Sequence, residues 1–302
     1  MRRFTAIAMI AAWLAPISIH AQQNELLPAY LLHLPASVNT IFVAEANSST
    51  LYRFVRTSSA SEFHDERYMS VGQNGVGKSS VGDRRTPLGI YFISEQLDTS
   101  GLHEKYGPLA FALDYPNAWD RLSERSGDGI WIHGVAPQAG HRPPQDTDGC
   151  IALQNDELLK LEDDFVPQIT PVIIAREIRW ASRTDITAIR DELRAALETW
   201  VHSYRSGDLH QYLAMYADDF RYHGLDKEEW SAFRLQTIGE RPIQDFMLSE
   251  VLLLADPEDK DLFLSRFQQM IVDDAQTIVT TKRLYWRRAP DGEFRIVAED
   301  NG

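Results

Sequence analysis

The sequence predicts a mainly β domain followed by a small α+β domain. Short runs rich in β-branched and aromatic residues recur between about residues 38 and 179, with turn residues between them. From residue 184 onward, apolar residues first follow helical spacing, and longer strand-like runs come after them. With 302 residues, of which 44% are hydrophobic, the chain is long enough for two globular domains.

The N-terminus has the pattern of a secretory signal. Two arginines precede an apolar stretch at 4–14 that is too short to span a bilayer, and the small residue Ala21 offers a cleavage point. We therefore expect residues 1–21 to be removed on export to the periplasm; an apolar anchor that stays attached is the alternative. Residues 22–37 are expected to form a helical lead-in to the first domain.

The net charge and the cysteine content limit the classes of function that are expected of this protein. The formal net charge of −14 falls by two, to about −16, when the two N-terminal arginines leave. Such an acidic protein is not expected to bind nucleic acid or an anionic membrane surface. Cys150 is the only cysteine, so the chain has no internal disulfide. A free thiol in an oxidising compartment is either buried and inert or a nucleophile.

The first domain is predicted from apolar and β-branched runs separated by polar turns. A hairpin is expected at its start, because two alternating runs flank the polar turn at 47–49. The last part of the domain is expected to begin as a strand near residue 149 and to pass into a helix. The predicted strands are 40–46, 50–58, 67–74, 84–96, 129–135 and 171–178.

The second domain is predicted to place its helices before its sheet. The run 184–207 has apolar residues at helical spacing, with capping residues at its start and Gly207 at its end. Residues 180–183 form the linker. Further helices are expected at 208–220 and 226–238, and strands at 245–255, 261–272, 276–288 and 293–300.

The stretch 72–79 matches the pattern of a phosphate-cradling loop, Gly-x-x-x-x-Gly-Lys-Ser. That loop must follow a strand and open a helix. Here Lys78 leads instead into a β segment that contains glycine and proline. ATP is also essentially absent from the periplasm, so we predict no bound nucleotide and no cofactor.

The chemistry-bearing residues converge on Cys150. A thiol with a pKa of about 8.5 is only a few per cent thiolate at neutral pH, so a nucleophilic cysteine needs a base. His133 ends a predicted strand whose alternation puts it on one face with Trp131, opposite Ile130 and Ile132.

Glycines flank both members of this pair. The Gly134 carbonyl can hold the His133 imidazole in one tautomer. Gly149 permits an unusual backbone geometry, in which the amides of Gly149 or Cys150 face a developing oxyanion. Thr147 can form hydrogen bonds within the same turn.

Two other interpretations of the pair were weighed. A lone cysteine beside a glycine is often a small core residue, and a lone histidine is often structural. A zinc site would need His141 as a third ligand. The spacing of His133, His141 and Cys150 lacks the paired pattern of zinc sites, so no metal is predicted.

This region resembles the catalytic domain of L,D-transpeptidases (YkuD-type). The signature of that family is His-Gly, a loop, then Ser/Thr-x-Gly-Cys and an apolar residue, and here it reads His133-Gly134, twelve residues, and 147–151. Residues 76–93 resemble a second motif of the family. The resemblance implies a mainly β, β-sandwich-like catalytic domain over 38–179, with Cys150 as nucleophile and His133 as general base.

The same resemblance implies further roles and shows two departures. It places the orienting carbonyl on Gly134, the oxyanion amides around Gly149 and Cys150, and a substrate-binding surface near the pair. Many members have histidine where Asp148 stands and a substrate-holding arginine where Ala152 stands. We expect substrate contacts, including a replacement positive charge, from a set drawn from this neighbourhood: Thr147, Trp131, Arg142, Lys78, Arg84 and Arg85.

Residues 184–302 resemble a SnoaL-like cone domain. Together with the first domain, this looks like the cell-shape L,D-carboxypeptidase and L,D-transpeptidase group of proteobacteria. The resemblance implies that peptidoglycan stem peptides are the partner and that the C-terminal domain is a candidate homodimer surface or ligand pocket. The expected activity is L,D-transpeptidation. The alternatives are an L,D-carboxypeptidase that trims tetrapeptides to tripeptides, and a non-catalytic wall-binding protein.

Overall fold

The structure, a computed structural model, describes residues 26–57, 61–240, 245–272 and 276–302. The predicted signal, residues 1–21, lies outside them. Within the described ranges no helix is both long and apolar enough to cross a membrane. The helices are α1 Ala118–Leu122, α2 Asn155–Leu159, α3 Arg183–Ser206, α4 Leu209–Ala214 and α5 Lys227–Glu240, and short 3₁₀ turns lie at Thr99–Gly101, Glu104–Tyr106 and Glu162–Asp164.

The strands form two large sheets and two small ladders. In chain order they are β1 Leu26–Pro28, β2 Leu31–His33, β3 Thr40–Glu45, β4 Thr50–Arg56, β5 Ser61–Tyr68, β6 Val71–Gly72, β7 Gly89–Gln96, β8 Ala110–Leu113, β9 Trp131–His133, β10 Gln145–Thr147, β11 Ile151–Ala152, β12 Pro171–Ala175, β13 Trp180–Ser182, β14 Tyr216–Tyr222, β15 Leu225–Asp226, β16 Asp245–Ala255, β17 Leu262–Val272, β18 Thr277–Arg288 and β19 Phe294–Asp300.

The first large sheet has eight strands in the order β11-β9-β8-β7-β12-β3-β4-β5. Its central strands are buried on both faces, so alternate residues enter two different cores. One face packs within the first domain, through residues such as Phe42, Tyr91 and Ile174. The opposite face joins the core of the second domain, and its members include Ile41, Val43, Phe54, Ile90, Phe92, Ile173 and Ala175.

The second large sheet has seven strands in the order β15-β14-β19-β18-β17-β16-β2. Its apolar residues and those of α3 form one continuous core with the face of the first sheet just described. The mainly β first domain and the α+β second domain are therefore confirmed as a fold class, and they share a hydrophobic core.

Polar contacts also join the two domains. Arg283 on β18 is buried, and its guanidinium forms ion pairs with Asp114 of the first domain and with Asp300 of β19. The Asp114 carboxylate also accepts a hydrogen bond of 2.8 Å from the Phe92 backbone N–H. Arg179 donates to the Asp256 carbonyl at 2.7 Å. These contacts fix the second domain against the first.

The helical lead-in predicted at 22–37 is wrong for its described part. Residues 26–37 contain β1 and β2 and no helix. The strand β1 pairs antiparallel with β13, and β2 pairs antiparallel with β16 of the second domain. Unpaired strand edges satisfy the backbone groups of this segment, and this tertiary pairing outweighs its local helical preference.

Three strands of the first domain, β5, β8 and β10, were missed, and one helix of the second was predicted too long. Half of the β5 residues are charged and most are at least partly exposed, as suits an edge strand that pairs with β4, so its composition resembles that of a loop. The predicted helix at 208–220 ends at Ala214, and β14 begins at Tyr216. Tyr216 and Phe220 are both buried, and their spacing also fits a helix.

The predicted apolar strand at 245–255 forms β16 of the C-terminal domain, which is the candidate homodimer surface. Leu252, Leu253 and Leu254 are fully buried in the core that the two domains share. This part of β16 therefore packs in the core of its own chain. Homodimerisation through the C-terminal domain stays a prediction.

Candidate active site

His133 ends the strand β9, and Cys150 directly precedes the neighbouring strand β11 at one edge of the eight-stranded sheet. The strand β11 pairs parallel with β9, with Ile151 opposite Ile132. Both isoleucines are fully buried in the first-domain core. Because successive side chains alternate, Cys150 and His133 face the opposite side. The Tyr106 ring contacts both Trp131 and His133, which confirms that these two residues share a face.

His133 is held in one tautomer. Its Nδ1 lies 2.6 Å from the Gly134 carbonyl oxygen. A carbonyl can only accept, so Nδ1 carries the hydrogen and Nε2 keeps a free lone pair. Burial lowers the pKa of His133 to about 4, and the positive charges of Arg142 and Lys105 lower it further. The hydrogen bond with Gly134 acts in the opposite direction and raises this pKa. The imidazole is therefore a neutral base at neutral pH.

Cys150 is a buried thiol. Cys150 is a free cysteine and forms no disulfide, and its Sγ donates to the Gly129 carbonyl at 3.4 Å. Burial raises the pKa of the Cys150 thiol above its ordinary value, although the Trp131 backbone N–H and the charge of Lys105 oppose the shift. The pair is therefore a neutral thiol and a neutral imidazole, and a thiolate at Cys150 would require proton transfer to a base.

The turn before the cysteine is closed by Thr147. Its hydroxyl donates to the Cys150 carbonyl at 2.7 Å and accepts from the Gly149 N–H at 3.1 Å. Gly149 has φ +127°, which confirms the unusual backbone geometry predicted for it. Since the Gly149 amide is already bonded, the Cys150 amide is the better candidate for an oxyanion donor. Thr147 is buried and holds the turn, so its predicted contact with substrate is not supported.

A residue that the sequence did not single out, Asn155, fixes the backbone after His133. Its Oδ1 accepts from the Val135 N–H at 2.8 Å, and its Nδ2 donates to the Val135 carbonyl at 3.0 Å. A Cβ at Gly134 would overlap the same Oδ1, so the glycine is required for this close approach. Asn155 therefore supports the carbonyl that orients the histidine. Only the placement of α2 beside this loop reveals it.

The loop 72–86 supports the catalytic turn and does not form a nucleotide site. Lys78 is buried, and its ammonium lies 3.0 Å from Asp83 Oδ1. The same carboxylate accepts from the N–H groups of Ser79 and Ser80, so it occupies the donors that a phosphate would need. These hydrogen bonds lower the pKa of Asp83 to about 2 against the effect of burial.

The sequence analysis made two predictions about this loop. No helix follows Lys78, as the sequence predicted. The contact of Lys78 with substrate stays a prediction that the structure does not favour, because its ammonium is bonded to Asp83 and to the Ser80 carbonyl within the loop. The loop instead packs on the nucleophile turn, since a Cβ at Gly149 would meet the Arg85 carbonyl oxygen.

The remaining predicted contacts lie around the pair with different partners. Trp131 is half-buried beneath the Tyr106 ring, at 4.8 Å between centroids. Arg142 is held by Asp146, with Nε 2.8 Å from a carboxylate oxygen. Arg84 is exposed, and its Nε lies 3.9 Å from Asp148. Arg85 donates to the Val76 carbonyl at 3.3 Å.

Two side chains near the pair were missed by the sequence analysis. Lys105 Nζ lies 3.3 Å from Asp148 Oδ2, and the neighbouring Tyr106 ring meets the His133 ring edge-on at 5.0 Å. Both belong to a 3₁₀ turn far from the motif in sequence, so no spacing could indicate them. His141, the alternative zinc ligand, stacks on Tyr68. Across the described ranges no three His, Cys, Asp or Glu side chains are placed to hold a metal ion.

The neutral resting pair predicts how Cys150 reacts with iodoacetamide. Because the thiol pKa is raised, the labelling rate of the folded protein should keep rising with pH past 9, without a plateau between pH 5 and 8. The unfolded chain is the matched reference, since its only cysteine should titrate near the ordinary value. Mass spectrometry of timed samples measures both rates. A pH-independent plateau in the acidic range would show a resting thiolate–imidazolium pair and contradict this description.

Comparison with known protein families agrees with this geometry. The profile of the L,D-transpeptidase catalytic domain (YkuD) matches residues 39–174, and that of the Cds6 C-terminal NTF2-like domain matches residues 192–300. No curated protein sequence matches the chain.

Solved structures that resemble most of the chain include the following two. Bd1075 of Bdellovibrio bacteriovorus is 24% identical with a TM-score of 0.76, and the match covers 92% of this chain and 98% of that one. The helical cell shape determining protein Pgp2 of Campylobacter jejuni is 23% identical with a TM-score of 0.76, and the match covers 90% and 95%. At these identities the likeness establishes a shared fold.

Proposed function

Because residues 39–174 are an L,D-transpeptidase catalytic domain of the YkuD type and residues 192–300 are an NTF2-like domain, we propose that this protein is a cysteine acyltransferase acting on peptidoglycan stem tetrapeptides. The observation that carries the proposal is the pair itself. His133 ends β9 and Cys150 directly precedes the paired strand β11, on the same face, and the Gly134 carbonyl keeps the imidazole Nε2 free as a base.

The proposed reaction begins with proton transfer. Nε2 of His133 takes the Cys150 thiol proton, and the sulfur attacks the carbonyl carbon of the third residue of the stem peptide. The Cys150 amide stabilises the oxyanion. The imidazolium then gives its proton to the amine of the terminal D-alanine as the carbon–nitrogen bond breaks, which leaves a thioester on Cys150.

The thioester has two fates. Attack by an amine of another stem peptide gives a 3–3 cross-link and restores the thiol, which is L,D-transpeptidation. Attack by water gives a tripeptide, which is L,D-carboxypeptidation. We propose the first as the main activity. The second is favoured by Ala152, which stands where the family's substrate-holding arginine is expected and whose backbone is paired with Ser70.

Product analysis separates these candidates. The protein is incubated with tetrapeptide muropeptides, and the products are analysed by mass. Transpeptidation predicts cross-linked dimers, whereas carboxypeptidation predicts tripeptides and free D-alanine without dimers. If neither forms while the pure protein is folded, both proposals fail, and the third candidate, a non-catalytic wall-binding protein with a buried inert thiol, takes their place.

Location and biological role belong to the same proposal. Residues 1–21 have the composition of a cleaved signal, and peptidoglycan lies outside the inner membrane, so we place the enzyme in the periplasm. A role in cell shape is proposed from the similarity to Pgp2. Fractionation of cells that express the full chain, with N-terminal sequencing of the mature protein, tests the location. Recovery in the cytoplasm with Met1 intact would contradict it.

A further inference from the structure

Several cations lie near the Cys150–His133 pair, but most of them are already bound. The Arg142 guanidinium is held on two sides by Asp146, through its carboxylate at 2.8 Å and its carbonyl at 2.9 Å. Lys78 is enclosed with Asp83. Lys105 differs from both, because about half of its side chain is exposed and its partner Asp148 is more exposed still.

Lys105 lies at the opening of the site. The next residue, Tyr106, contacts the His133 ring at 5.0 Å and the Trp131 ring at 4.8 Å. On the other side, its Nζ is 3.3 Å from Asp148, which precedes Cys150 by two residues. Lys105 therefore adjoins the histidine through its neighbour Tyr106 and the cysteine through Asp148. Its charge acts on both reacting groups, which agrees with this position.

The ion pair of Lys105 with Asp148 is exchangeable. Exposed pairs of this kind contribute about 0–1 kcal/mol, so a substrate group can replace the Asp148 carboxylate at little cost. A donor peptide brings such a group, because its leaving residue carries a free carboxylate one residue beyond the bond to be broken. Ala152, two residues after Cys150, has no charge that could bind this carboxylate.

We propose that Lys105 binds the terminal carboxylate of the leaving residue and so selects peptides with a free C-terminus. The inference rests on the proposed function and names the group that recognises its substrate. Asp148 is the resting partner of the ammonium and competes with the substrate carboxylate. Lys105 is thus a specificity-determining residue on the side of the leaving group.

The test compares two stem tetrapeptides that differ only at the C-terminus, one a carboxylate and the other a carboxamide. The full-length enzyme should prefer the carboxylate in kcat/KM. In Lys105→Gln the ratio of the carboxylate kcat/KM to the carboxamide kcat/KM should fall about 10- to 100-fold, the range of one charge-assisted hydrogen bond, because any effect of the lysine charge on Cys150 and His133 is common to both peptides. Lys105→Arg should keep the preference.

Two further variants separate binding from a structural role. Lys160→Gln removes an exposed lysine paired with Glu157 and should change neither value. Asp148→Asn breaks the same ion pair as Lys105→Gln but keeps the ammonium, so it should keep or increase the preference for the carboxylate. An equal loss in Asp148→Asn and Lys105→Gln, or an unchanged preference in Lys105→Gln, would overturn the inference. Turnover of neither peptide by the wild-type enzyme would instead overturn the proposed function.

Discussion

Replacing His133 with glutamine should slow turnover of tetrapeptides by about 10²- to 10⁴-fold, the contribution of a positioned general base. Glutamine has a similar reach, and its amide N–H can still donate to the Gly134 carbonyl. Its oxygen, however, is too weak a base to take the thiol proton. Because burial raises the pKa of Cys150, little thiolate forms at neutral pH without the imidazole. The loss should therefore appear in kcat.

The matched control is His141→Gln. His141 lies between His133 and Cys150 in sequence but stacks on Tyr68, so its loss should change kcat less than about threefold. The melting temperatures of both variants should be measured beside the rates, so that a folding defect is distinguished from a loss of base catalysis. A folded His133→Gln protein with near wild-type kcat would contradict the assignment of His133 as the base.

Replacing Arg283 with methionine should lower the free energy of unfolding by about 3–5 kcal/mol. The guanidinium is buried between Asp114 of the first domain and Asp300 of the second. Methionine removes the charge but keeps much of the volume, so two carboxylates remain beside the shared core without their common partner. Urea unfolding of the full chain measures the change.

Arg287→Met is the control for this prediction. Arg287 lies on the same strand and pairs with Asp219, but both side chains are more than a third exposed, so its loss should cost less than about 1 kcal/mol. Adding Asp114→Asn and Asp300→Asn to Arg283→Met should restore part of the lost stability, since no unpaired charge would remain. Equal effects of Arg283→Met and Arg287→Met would contradict a structural role for the buried network.

The residues of the site could be predicted where the chemistry follows local patterns. Strand alternation placed Trp131 and His133 on one face, and the glycine before Cys150 indicated an unusual turn. Lys105 and Asn155 could not be predicted in this way. Each reaches the site through the packing of a distant segment, and neither carries a local signal for its role.

The features of the fold that the sequence did not predict also depend on contacts between distant segments. Most of the long strands of both domains followed from alternation and turn residues, whereas the edge strand β5 and the start of β14 did not, and the N-terminal strands exist only because sheet edges are available to pair with them. The shared core could not be predicted either. A strand that is buried on both faces has the same apolar sequence whether a helix or another domain packs on its second face. The phosphate-loop pattern at 72–79 was correctly rejected on its context, and Asp83 supplies the physical reason.

The central claim is that Cys150 is the nucleophile of a peptidoglycan stem-peptide enzyme. The most direct measurement is turnover of purified tetrapeptide muropeptides by the wild-type protein and by Cys150→Ala, with products identified by mass. We predict release of D-alanine by the wild type, with dimers or tripeptides as the other product, and none by the variant at equal stability. Equal turnover by a folded Cys150→Ala protein would contradict the claim.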